Sequence, residues 1–434
     1  MQLASLPLIG VAVWRISHRS LPVQTRWPLG ILAAVLLLPL VQLVPLPPDL
    51  WSALPGREQF AAAYRVAGME PPWLPLSLDG AATWRAELSL LPAVAIFLAT
   101  LSLNYDARRR LSVLVIAVGF VAVVLGLAQI AGGSGSPLRF YPITNPTDSV
   151  GFFANRNHHA AFLYSLIAFV AAWMFAVLHE GRSERTPAVI ACVLILVVLL
   201  IGLGMARSRA GLVLALAAIV ASALLAGSGR DGSTRRGWLT ILVGALLGTI
   251  LIVQFALERI LSRFDVGAGM GELRLRMTEI TLQAGRAFAP FGTGFGTFEA
   301  VYQMFDRPEV VLSAYVNHAH NDWAELWLEG GVPAMLVAVA FLAWYSVAAI
   351  GVWRGRSGTM APVDRALARA ASIAILLLLA HSAADYPLRT TAMTTFLAFA
   401  CGLLVAPVRR SAQDPAADTG QRRVRNAGSA RPLG

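Results

Sequence analysis

The chain contains no lysine, only two cysteines and few charges of either sign. Charged residues make up 14% of its 434 positions and hydrophobic ones 57%, whereas a soluble globular domain carries about a quarter charged residues. An ordinary water-soluble fold is thereby excluded. Cys192 and Cys401 both lie inside apolar runs, a setting that argues against a structural disulfide and against a thiolate nucleophile. With lysine missing, all 35 basic residues are arginine, and their distribution along the chain becomes the main topological signal.

What is present is a succession of apolar runs of about 17–22 residues, the length a helix needs to cross a bilayer. They fall near 29–46, 88–104, 111–131, 158–178, 187–205, 210–227, 238–257, 332–353, 368–384 and 392–407, with a shorter run at 1–14. The pattern predicts an all-α polytopic membrane protein of about 11 transmembrane helices, one domain over 1–407. The first run is no signal peptide, because Arg15, Arg19 and Arg26 follow the apolar stretch rather than precede it. Alternate loops plus the tail hold 21 arginines against 7 acids, and the other loops 14 against 17. The positive-inside rule assigns the arginine-dense set to the cytoplasm, so 47–87, 132–157, 258–331 and 385–391 face outward. The formal charge of +11 therefore reports topology and contact with bilayer lipids, and no basic, aromatic-interleaved surface for nucleic acid is present. Residues 408–434 read as a disordered cytoplasmic tail.

Two outer loops are long. Residues 47–87, rich in proline and tryptophan, suggest an extended segment at the interface with tryptophan anchors. The loop 258–331, before the last three helices, has room for structure of its own and is the expected seat of chemistry. Within it, Leu273, Met277, Ile280 and Ala284 share one face of a helix over 272–288. The P-F-G-T-G-F-G-T-F stretch that follows reads as a tight backbone passage, since neither a Lys-Ser/Thr nor a preceding strand makes it a phosphate loop.

The loop ends in V-N-H-A-H-N-D-W-A-E-L-W-L-E-G-G-V-P, residues 316–333. A helix over 321–329 is predicted, capped by Asn321 or Asp322 and ended by Gly330 and Gly331, with Trp323, Leu326 and Trp327 as its apolar stripe. His318 and His320 precede it, and a neutral imidazole there is a candidate base. No third ligand at convincing spacing makes the pair a metal site. Arg207 and Arg209 sit in a short outward turn at membrane depth, where a guanidinium needs an anion or a partner. Arg274 and Arg276 add to a cationic pocket suited to a diphosphate. Asn155, Arg156, Asn157, His158 and His159 open one span. His381, Asp385 and Arg389 follow another at one-turn intervals, so that His381–Asp385 or Asp385–Arg389 pairs are expected.

At these residues the sequence resembles the O-antigen ligase and polymerase family of bacterial envelope glycosyltransferases. The match is His320-Asn321, nine residues, then Gly331, with Ala334 at the last position of the pattern. Arg209 in S-R-A-G-L-V matches the family's outer arginine, with Val213 where a leucine is usual. Arg274 before the P-x-x-G-x-G turn matches a second arginine, Arg276 being the competing alignment. The resemblance covers roughly 150–400 and implies a GT-C-like arrangement of about twelve membrane helices in the bacterial inner membrane. It implies transfer of a glycan from an undecaprenyl-diphosphate-linked donor to an acceptor hydroxyl, on lipid A–core or a growing glycan, at the periplasmic face. By that analogy His320, with Asn321, serves the acceptor as base, and Arg209 and Arg274, supported by Arg276 and Arg207, hold the diphosphate. His318, Asn155, Arg156, His158, His381, Asp385 and Arg389 support them, and no cofactor or metal is needed. A flippase for the same carrier and a peptidoglycan-type polymerase of the shape–elongation–division class are the alternatives. The first predicts charges near mid-membrane, the second a catalytic acid such as Glu325 or Glu329.

Overall fold

The computed structural model describes residues 2–20, 22–179, 185–227, 272–306, 316–355, 360–407 and 409–410. The expected span at 238–257 and most of the tail from 408 lie outside the described residues. Helices come in the order α1 (Ser5–Ser17), α2 (Arg26–Gln42), α3 (Pro48–Ser52), α4 (Glu58–Val66), α5 (Gly80–Ser89), α6 (Leu91–Ser102), α7 (Tyr105–Ala131) and α8 (Arg156–His179). Then come α9 (Arg185–Ala206), α10 (Arg209–Gly227), α11 (272–287), α12 (Phe298–Phe305), α13 (Asp322–Trp353), α14 (Pro362–His381) and α15 (Thr391–Leu404). Strand is confined, among the described residues, to two pairs of two residues each. This is an all-α polytopic membrane fold. Among the described residues, six helical stretches are long and apolar enough to cross a bilayer: Val23–Gln42, Gly80–Ser102, Tyr105–Ala131, Arg156–Leu178, Arg185–Ala206 and Asp322–Trp353. Ser5–Ser17, Arg209–Ala223 and Thr391–Leu404 are shorter apolar helices, and α14 occupies the expected span at 368–384.

The centre of the bundle is α8, most of whose apolar length is buried inside the protein. It packs on α9, α10 and α14. Small residues make that approach possible: Ala160, Ala161, Ala168 and Ala172 of α8 and Ala370, Ala371 and Ala374 of α14 are all buried. In a bilayer, where lipid tails are as apolar as leucine, such close backbone packing is what holds helices together. At the end of the bundle where α7 begins, the buried guanidinium of Arg108 donates to the carbonyls of Thr100, Leu101 and Val405, closing the ends of α6 and α15. The other end carries the polar groups.

Residues 47–87 depart from the expected extended segment. They fold into α3, α4 and one of the short strand pairs. Trp51 is no interfacial anchor: it is fully buried, with Nε1 donating to the Pro72 carbonyl at 2.9 Å. Of that loop's three tryptophans, Trp73 and Trp84 are exposed. The segment is tied to the loop before α13, because Leu78 N–H donates to the Thr293 carbonyl and Gln42 bridges Phe295 N–H and the Glu329 carbonyl.

The helix expected over 321–329 and the following span form one element, α13, kinked at Gly331 (φ 56°, ψ −152°). That conformation is open essentially only to glycine. A β-carbon there would clash with the Pro290 carbonyl and lie 2.8 Å from the Gly292 nitrogen. Gly331→Ala is therefore expected to cost on the order of 1–3 kcal/mol and to lower the thermal midpoint of the purified protein. An unchanged melting curve would show that the kink is not required.

Candidate active site

Asn321 caps α13, its Oδ1 accepting from the N–H groups of Trp323 and Ala324 at 3.0 and 3.1 Å. The first turns of that helix bury the opposite face from the one expected. Trp323, Leu326 and Trp327 are half-buried, whereas Asp322, Glu325 and Glu329 point inward. The reason lies 60 residues on. After α14 ends at His381, a short 3-10 turn (Pro387–Arg389) presents the Arg389 guanidinium to all three carboxylates, pairing directly with Glu329 and lying 3.4 Å from Glu325 and 3.7 Å from Asp322. Burial alone would lower the Arg389 pKa; the charges of Glu325, Glu329 and Asp322 outweigh it and push it up, so the guanidinium stays charged.

Glu329 does a second task. Its Oε1 accepts from the N–H groups of Gly296 and Phe298 at 2.8 and 3.2 Å, and its carbonyl from that of Gly294. Gly292, Gly294 and Gly296 all have positive φ. The glycine stretch is thus a tight passage, and these amides serve the protein itself.

His320 sits just before the cap with φ 51°. It and Arg207 are the two non-glycine residues of positive φ among those described. Strained backbone of this kind survives where surrounding structure enforces it, and it clusters at functional sites. His320 Nδ1 lies 3.0 Å from Asp385 Oδ1, in a residue that is itself buried. Asp385 is fully engaged: Oδ1 also accepts from Tyr386 N–H at 3.0 Å, Oδ2 accepts from the Asn157 side chain, and Arg274 stands 3.7 Å from Oδ2. Burial would raise the Asp385 pKa, but the His320 hydrogen bond and the Arg274 charge outweigh it and hold the carboxyl well below the ordinary range. An ionised carboxylate only accepts. His320 Nδ1 therefore carries a proton, which leaves Nε2 as the accepting nitrogen whenever the ring is neutral.

His318 makes a parallel pair, Nδ1 to Glu325 Oε1 at 2.9 Å, with Ala319 N–H donating to Oε2. The ring of Tyr386 lies between the histidines, 4.3 Å from His318, 4.8 Å from His320 and 4.8 Å from His158, centroid to centroid. Behind His318 stands the apolar cluster of Met277, Ile280, Ala284, Phe288, Phe298 and Leu328, which includes the face of α11 read from the sequence.

The expected local pairs within 381–389 are not formed. His381 is buried and meets the Tyr164 hydroxyl at 3.0 Å, while Asp385 and Arg389 take the distant partners described above. Asp385 N–H still donates to the His381 carbonyl at 2.9 Å, so the turn persists; the side chains instead take their hydrogen-bond and ion-pair partners elsewhere. Arg274, half-buried on α11, donates to the Ala384 carbonyl and faces Asp385. Arg276 instead makes an exposed one-turn pair with Glu272. Arg156 and Arg207 share Asp148, at 2.7 and 3.3 Å, and Asn155 donates to the Tyr386 hydroxyl. Arg209 opens α10 with its side chain exposed. Asn157, Tyr386 and the inward acids Asp322, Glu325 and Glu329 were absent from the expected site. The acids did carry a signal: their spacing of three and four places them on one helical face.

Residues 194–339 match the sequence family described as O-antigen ligase. The match spans Arg209, Arg274 and the His318–Glu329 segment. No curated protein matches the chain.

Proposed function

We propose, from a chain whose residues 194–339 belong to the O-antigen ligase family, that His320 and Arg274 carry out glycan transfer from an undecaprenyl-diphosphate-linked donor to an acceptor hydroxyl. The observation that supports it is the convergence of base and cation on one carboxylate: Asp385 holds the Nδ1 of His320 and faces Arg274. His318 has a carboxylate partner as well, but Glu325 leads to the Arg389 cluster and to no half-exposed arginine.

In the reaction the acceptor hydroxyl gives its proton to His320 Nε2 as its oxygen bonds to the anomeric carbon. The bond from that carbon to the diphosphate oxygen breaks, and undecaprenyl diphosphate leaves with the electron pair. Asp385 keeps the ring in the tautomer that accepts and stabilises the imidazolium that forms. Arg274, joined by Arg209, meets the charge growing on the diphosphate. The site lies at the periplasmic face of the inner membrane, and the acceptor is lipid A–core or a growing glycan. The alternatives fit the geometry less well. Among the described residues, the titratable groups of the site gather at helix ends, whereas a flippase would place charges at mid-membrane, and Glu325 and Glu329 already serve Arg389, His318 and backbone amides.

The test is release of undecaprenyl diphosphate by purified protein given the lipid-linked glycan and lipopolysaccharide. Release that requires the acceptor and continues in EDTA is expected. With Arg274→Met, a rise in donor KM and a fall in kcat of about 10²-fold are expected. Acceptor-independent release, or abolition by EDTA, would contradict the arginine-assisted reading.

A further inference from the structure

The segment between α2 and α5 forms a half-open cavity of about 500 Å³, lined by Trp51, Arg57, Phe60, Tyr64 and Leu74 among others. That volume is within the range of small-molecule sites, roughly 300–1,000 Å³. Part of its wall is aromatic: Trp51 is fully buried and meets the Tyr64 ring edge-on at 6.2 Å. Phe60 and Leu78 continue into the apolar cluster behind His318.

The unusual member is Arg57. It is only 4% exposed, and its one side-chain hydrogen bond runs from a guanidinium nitrogen to the Leu76 carbonyl. Among the described residues no carboxylate pairs with it. Burial lowers its pKa to about 10, with no acid charge offsetting the loss of solvent. A buried cation without a counter-ion is costly, because desolvation goes uncompensated. Arg389, half-buried and so less fully removed from water, has three acids around it. Arg57 lacks its anion, and it lines a cavity large enough to admit one.

The rim says what kind of molecule carries that anion. Val66, Met69 and Trp73 are exposed large apolar residues around the same segment, which joins two membrane-spanning stretches. Tryptophan and apolar side chains at that level sit among lipid headgroups. Arginine's planar fork suits a phosphate, which it can grip through two nitrogens. We propose that the Arg57 cavity is a binding site for the phosphate headgroup of a membrane lipid, with Trp51, Phe60 and Tyr64 as its apolar walls. The site is separate from the His320–Asp385 pair and stands without the function proposed for it.

The test uses the full chain in a zwitterionic detergent, titrated by calorimetry with dihexanoyl phosphatidic acid and with dihexanoyl phosphatidylcholine. The expected result is saturable binding of phosphatidic acid, at least tenfold tighter than of phosphatidylcholine, weakened at least tenfold by Arg57→Met. Should that variant fail to fold, Ala63→Trp fills the exposed lip of the cavity with Arg57 intact and is expected to weaken binding to the same degree. Inorganic phosphate alone should bind at least tenfold more weakly than phosphatidic acid; equal binding would mean a site for free phosphate and overturn the lipid assignment. Equal affinity of wild type and Ala63→Trp, or no preference for the anionic lipid, would overturn the proposal. His320→Ala should bind as wild type does, so that loss of turnover and loss of this site are separate readings.

Discussion

Asp385→Asn is expected to lower kcat by about 10²–10⁴-fold without raising the donor KM. An amide at this position can donate to His320 Nδ1 and so move the imidazole proton to Nε2, the nitrogen that must accept. It also removes the negative charge that stabilises the imidazolium. Arg274, 3.7 Å from the carboxylate, loses a competitor for the diphosphate, so donor binding should hold or tighten. Asp385→Glu, which keeps the charge but displaces it, should recover part of the rate. A purely structural role would move KM and kcat together and would leave the glutamate variant no better than the asparagine one. Initial rates against donor concentration decide between the two.

Arg389→Met is expected to be among the most destabilising single changes in the chain. It leaves Asp322, Glu325 and Glu329, all buried, facing one another without their shared cation. Breaking a buried ion pair by removing one partner costs about 3–5 kcal/mol. The damage should travel, because Glu329 also accepts the amides of Gly296 and Phe298 and Glu325 orients His318. Arg389→Lys keeps the charge but not the fork that reaches three carboxylates, and should be intermediate. Cys192 and Cys401 are both free, so a thiol-reactive dye in a thermal ramp reports the unfolding. A midpoint within a degree of wild type for Arg389→Met would show that the acids find other neutralisation.

The sequence made some of this legible and concealed the rest for identifiable reasons. Helix spans were visible because a bilayer demands long apolar runs. The face of α11 was visible because Met277, Ile280 and Ala284 recur at helical spacing. A cap at Asn321 or Asp322 and a break at Gly330-Gly331 were readable from residue type; that the break is a kink within one helix was not. The inner face of α13 was not: Trp323 and Trp327 outweighed the acids by hydrophobicity. What makes the acids face inward is Arg389, which is remote in sequence. The same limit hid the His320–Asp385 pair, 65 residues apart. Both residues had been singled out, but partners across a loop follow no period. Trp51 was misplaced because burial of a tryptophan in a proline-rich loop depends on α4 and the Pro72 backbone folding against α3, which carries it.

The central claim is that His320 takes the acceptor's proton. Its most direct test compares purified wild type and His320→Ala for acceptor-dependent release of undecaprenyl diphosphate from a bound lipid-linked glycan. The account predicts a fall of about 10²–10⁴-fold in the variant, with donor binding and thermal midpoint retained. Undiminished release by His320→Ala would contradict it and pass the role of base to His318, on Glu325.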